Sequence, residues 1–200
     1  MVPLAGCPGF DRPALALALS FLHLGSTYPP SNMARFLLVP TESELWAEAR
    51  SSIHPLRVHT AGLTGVVEVE LGDERLLLAT PTQVELEAER LRSGNALIDG
   101  ELQRRIDTRT FPSIRAELTG AAPAEAADTL HLSGTLTFHG VTLAMDVDVT
   151  VRLVDARTVE IEGARAIDMR DFGLPPPSFL MFRMRPEVQV KARLVARRED

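Results

Sequence analysis

The chain has 200 residues, 27 acidic and 21 basic side chains, and a formal net charge of −6. Such a length suits one domain with a substantial core, and a negative balance without any basic run argues against nucleic acid or an anionic membrane as partner, because both require a cationic face. The single cysteine, Cys7, excludes an intramolecular disulfide and a cysteine-rich metal site.

Residues 1–32 read as a leader outside the fold. The apolar run Ala14 to Leu22 has the length of a signal-peptide core, yet only Arg12 precedes it as a basic residue and no small-x-small site follows; it is also too short to span a bilayer. "LAGC" (Leu4 to Cys7) resembles a lipobox without the hydrophobic segment that should come before it. "GSTYPPSN" is turn-rich, and Met33 follows directly. The expectation is a domain over 33–200 preceded by a misplaced start or a weakly signal-like segment. A cytoplasmic protein is the expected location, with a periplasmic or secreted one as the alternative.

From Leu45 the chain becomes a series of alternating segments. Leu45, Ala47 and Ala49 alternate with Trp46 and Glu48, and Val67, Val69 and Leu71 with Glu68 and Glu70. Val84, Leu86 and Ala88 alternate with Glu85, Glu87 and Glu89. Carboxylates at every second position of a strand form its solvated face, so those glutamates predict exposure and no catalytic or metal site. Ile114, Ala116 and Leu118 follow Phe111-Pro112. Between these strands, Ile98, Leu102 and Ile106 recur every four residues in "SGNALIDGELQRRID", which predicts one helix ending before the Pro112 stop.

"GTLTFHGVTLAMDVDVTV" (Gly134 to Val151) changes parity once. Apolar residues occupy even positions up to Phe138 and odd positions from Val141, with His139-Gly140 between. A two-residue hairpin loop requires that switch, because residues flanking it face each other across the ladder. It sets Phe138 against Val141, Leu136 against Leu143, Gly134 against Met145 and Leu132 against Val147 on one inward face. His131, Thr135, Thr137, Asp146, Asp148 and Arg152 fall on the wet face. Gly134 and Ala116, both small and inward, predict space inside. Further strands follow at Val159, Ile161 and Gly163, and at Val188 to Ala196, for about eight in all.

No phosphate-binding loop, nucleophile elbow or zinc-protease helix occurs, and the five histidines are scattered. "FLMFRM" (Phe179 to Met184), after three prolines, reads either as a flexible apolar lid or as a strand entry packed into the core.

Four segments, "LRSGNALIDGEL" (Leu91 to Leu102), "RTFPSIRAEL" (Arg109 to Leu118), "LSGTLTFHGVT" (Leu132 to Thr142) and "IDMRDFGL" (Ile167 to Leu174), resemble the YceI-like family in order and spacing. The matching positions are Gly94-Asn95 and Asp99; Phe111-Pro112 and Ile114; Gly134, Leu136, Thr137, Gly140, Val141 and Thr142; and Arg170-Asp171-Phe172-Gly173. The segment Ser43 to His59 follows the family pattern poorly. The resemblance implies a bacterial protein with an all-β, lipocalin-like antiparallel β-barrel of about eight strands, one short helix crossing or capping an end, that binds a long apolar lipid such as a polyisoprenoid or acyl chain.

Combined with the alternation, this nominates a lining. On the early strands and the helix it comprises Val67, Val69, Leu86, Ile98, Leu102 and Ile114. On the hairpin and beyond it comprises Leu132, Leu136, Phe138, Leu143, Met145, Val147 and Phe172. No catalytic set, metal or cofactor is expected, and membrane contact would be transient. Two rival readings are a packed-core barrel serving as an interaction or stress-related module, and an enzyme on an apolar substrate using Asp99, Arg170 or Asp171.

Overall fold

The His139-Gly140 turn takes the form its parity requires. Both residues have positive φ, 49° and 75°, the signature of a type I′ turn, whose twist matches that of the flanking strands. Glycine is needed at 140 for a second reason: a Cβ there would stand 2.5 Å from Cε1 of Phe111. The turn joins two strands paired in the predicted register, Phe138 with Val141, Leu136 with Leu143, Gly134 with Met145 and Leu132 with Val147. Asp146 and Asp148 face water, held by Ser133 and His131 at 2.7 and 2.8 Å.

The structure is a computed structural model that describes residues 33–52, 54–71, 76–126, 128–175, 178–179 and 182–199. The leader 1–32 and, within the apolar segment Phe179–Met184, residues 180 and 181 lie outside the described residues. In chain order the strands are β1 (Met33–Leu38), β2 (Glu44–Ser51), β3 (Leu56–Ala61), β4 (Thr64–Leu71), β5 (Leu76–Glu87), β6 (Ser113–Pro123), β7 (Thr129–Phe138), β8 (Val141–Asp155), β9 (Thr158–Asp168), β10 (Ser178–Phe179) and β11 (Phe182–Arg198). One α-helix, α1 (Ala96–Ile106), separates β5 from β6.

Neighbouring strands follow the order β1-β4-β5-β6-β7-β8-β9-β11, all antiparallel, and pairing of β1 with β11 closes these eight into a barrel. Closure abolishes the free edges that an open sheet would leave. The β2–β3 hairpin is an addition to that circuit, paired to the same edge of β11 over Met184 to Arg193 before β1 takes over at Ala196. Between the two partners Val195 has no strand neighbour on that edge, and its carbonyl accepts from the Val39 amide at 2.8 Å. Ser43, fully buried, supplies the partner for the Val195 amide: its hydroxyl accepts from that amide at 3.1 Å and donates to the Val195 carbonyl at 3.2 Å.

One detail departs from the sequence reading. The β5 alternation ends at Glu87, because Ala88–Arg90 turns into a 3₁₀ helix that buries Ala88. The helix α1 lies within its predicted segment and ends at Ile106, before Pro112, because Asp107 adopts a left-handed conformation with φ 49° and its amide bonds back to the carbonyls of Gln103 and Arg104.

Both ends of the barrel are packed. At the β7–β8 turn end, the Phe138 and Phe172 rings meet at 5.7 Å, and Ile106 from α1 and Ala88 are buried with them. At the opposite end Phe36, Leu130, Val151, Val159 and Ala196 are buried.

Candidate ligand cavity

Between these plugs several inward aliphatic residues, among them Val84, Ile114, Leu132, Leu136, Met145 and Val147, are only half-buried, which is the mark of a space that side chains do not fill. A cavity of about 280 Å³ lies there. Val67 of β4, Val84 and Leu86 of β5, Ile114 and Ala116 of β6, Leu132 and Leu136 of β7, and Met145 and Val147 of β8 form one side of its wall. Ile161, Gly163, Arg165 and Ile167 of β9, with Val190 and Ala192 of β11, form the other. Ala116 is exposed although its pairing with Leu136 and Val84 turns it inward. It looks into empty space.

The nominated lining residues divide by height. Val67, Leu86, Ile114, Leu132, Leu136, Met145 and Val147 line the cavity. Phe138 and Phe172 make the aromatic floor beneath it, and Val69, with no exposed surface, packs against the core. Leu143 and Leu102 are half-buried against the same core, whereas Ile98, one turn earlier on α1 than Leu102, is 39% exposed. Alternation specifies the side of a strand that a residue faces; it carries no information on distance along the barrel axis.

Gly134 does not supply the space. A Cβ at that position would stand 2.4 Å from the Glu117 carbonyl oxygen, so its bareness admits the backbone of β6, which bulges over it between Leu118 and Gly120. Space comes instead from the parting of two strands. The β8–β9 ladder runs from Asp155–Thr158 to Val149–Gly163 and goes no further, while β8 remains paired with β7 and β9 with β11. Beyond Gly163 the two strands leave a slot, and Ala164, Arg165 and Ala166 along it are exposed. A Cβ on Gly163 would come within 2.8 Å of the Val149 side chain.

Arg165 was not among the sequence candidates. The parity of Val159, Ile161 and Gly163, continued for two more residues, puts it on the inward face, and the structure pairs it there with Val190. Among the described residues it is the one basic residue on the cavity wall.

The groups considered for catalysis serve turns. Asp99 accepts from the amide and hydroxyl of Ser93, both at 2.6 Å, which holds its carboxyl below the usual range and ties the loop before α1 to the helix. Asn95 caps that helix by accepting from the amides of Leu97 and Ile98. The Arg170 guanidinium bonds Asp168 at 2.6 Å and lowers its pKa, while Asp168 also accepts from the Arg170 amide at the start of the 3₁₀ turn Met169–Phe172. Asp171 is exposed in the same turn. None of the three lines the cavity. Among the described residues, no three His, Cys, Asp or Glu side chains cluster as metal ligands would.

The model of the YceI-like domain matches residues 37–196. The chain belongs to the YceI-like family. Among solved structures, this YceI-like barrel is similar to BcnA of Burkholderia cenocepacia, at 20% identity and a TM-score of 0.67, covering 79% of this chain and 98% of that one. It is also similar to a polyisoprenoid binding domain from Saccharophagus degradans implicated in plant cell wall breakdown, at 16% identity and a TM-score of 0.64, with 82% and 98% covered. A Campylobacter jejuni YceI protein aligns at 13% identity and a TM-score of 0.61, with 74% and 88% covered. At these identities the likeness is one of fold. No curated protein matches the chain.

Proposed function

We propose that the domain over 33–200 binds one long apolar chain, polyisoprenoid or acyl, in the middle of its barrel without covalent chemistry. The observation that carries this reading is the aliphatic cavity between two packed ends. A barrel meant only as a rigid module gains nothing from a void, since each void forfeits contacts and stability. Each methylene withdrawn from water contributes about 0.8 kcal/mol, so ~10 of them yield roughly 8 kcal/mol, within the range of the association cost itself. A longer chain leaves a surplus. The polyisoprenoid binding domain of S. degradans shares this fold, which supports the choice of ligand class. A non-enzymatic role is supported by the tethering of Asp99 and Arg170 in turns outside the cavity.

Native mass spectrometry of the protein purified from its host tests the proposal. A retained lipid whose mass fits a single polyisoprenoid or acyl chain is the expected result. Protein that emerges without lipid and acquires none from added polyisoprenol or fatty acid would refute it.

A further inference from the structure

The inward face of β9 reads Val159, Ile161, Gly163, Arg165, Ile167, four apolar or bare positions and one cation. An arginine at an inward position of a strand is costly unless a counter-charge or water meets it. Arg165 meets water, because it stands where β8 and β9 separate, and it forms no hydrogen bond or ion pair among the described residues. Its neighbours on the outer face behave differently. Glu162 pairs with Lys191 at 3.5 Å, and Glu160 joins Arg152 at 2.6 Å and Arg193 at 2.7 Å. The acids of β9 are thus committed to the other side of the sheet. Glu117, among the described residues the one acidic group on the cavity wall, stands on the outward parity of β6, beside Gln83 and Thr135. Among the described residues the cavity therefore has an apolar interior and a single cationic group at its slot, with five guanidinium donors uncommitted.

We infer that Arg165 receives an anionic head, carboxylate or phosphate, of the single apolar chain whose tail fills the cavity. This rests on the lipid-binding reading and adds the class of head group to it. The planar guanidinium matches both oxyanions in bidentate fashion.

Competition binding with matched pairs tests it: oleic acid against oleyl alcohol, and geranylgeranyl phosphate against geranylgeraniol, on the parent, Arg165→Gln and Arg165→Lys. The parent is expected to prefer at least one acid over its alcohol by roughly tenfold, and that preference should shrink as salt rises. Arg165→Gln should abolish the preference, bringing each acid to the affinity of its alcohol, and Arg165→Lys should keep part of it. Which acid is preferred distinguishes carboxylate from phosphate. Equal binding of acids and alcohols by the parent, or a preference that survives in Arg165→Gln, would overturn the head-group assignment and leave lipid binding intact. Failure of all four probes to bind would overturn both.

Discussion

The barrel's turn end and its middle are built from the same alternating aliphatic pattern, yet one is plugged and the other is hollow. At the plugged end Phe138, Phe172, Ile106 and Ala88 converge from a hairpin, a 3₁₀ turn, a helix and the 3₁₀ turn that follows β5. In the middle the inward positions are Ala116, Gly163, Ala192 and medium-sized aliphatics, and the wall itself parts between β8 and β9. The lesson is that hollowness is set by where large side chains are concentrated along the axis and by where a ladder stops. Alternation is common to both regions and decides neither.

The sharpest way to break the contrast is to empty the plug. Phe172→Ala removes a ring that is 1% exposed and should cost about 3–5 kcal/mol in denaturant melts. A loss below about 1 kcal/mol would mean that the floor is not the structural anchor. Next in size, Gly134→Val should destabilise by roughly 2 kcal/mol, because its Cβ meets the Glu117 carbonyl and the β6 bulge must shift. If Gly134 merely made room in the cavity, the same variant would keep its stability and lose only lipid binding.

Ser43→Ala addresses closure rather than filling. The Val195 carbonyl retains its bond from the Val39 amide at 2.8 Å, but the Val195 amide is left without a partner, at an expected cost of about 1–2 kcal/mol. Hydrogen exchange at that amide should quicken. The smallest effect on stability is expected in the hollow itself: Met145→Trp projects into open space and should change the denaturation free energy by under about 1 kcal/mol.

The four motifs that mark the family fall largely on the plugged end and its turns. His139-Gly140, Phe111 and Phe172 meet there, with Phe111 and His139 rings at 4.6 Å and the His139 imidazole 3.0 Å from the Phe172 carbonyl. Local turn chemistry made the β7–β8 register readable, since one positive-φ pair and a parity switch fix ten residue pairs. What could not be read was height. Phe138 and Leu136 look equivalent in the alternation, yet one is floor and the other wall, because Phe172, Ile106 and Ala88, brought from distant parts of the chain, pack with Phe138. β1 and β3 were also missed as strands. Each is six residues long, and β1 is held by two long-range partners rather than by a hairpin. Arg165 was legible in parity alone, but its meaning depends on the end of the β8–β9 ladder, which no local pattern announces.

The central claim is that the hollow middle holds an apolar chain, and a fluorescent long-chain lipid titrated into the parent and Met145→Trp tests it most directly. The account predicts saturable one-site binding by the parent and at least roughly tenfold weaker binding by the variant, a difference of about 1.4 kcal/mol. Equal affinity in the two proteins would place the lipid elsewhere, and no binding by the parent would contradict the claim outright.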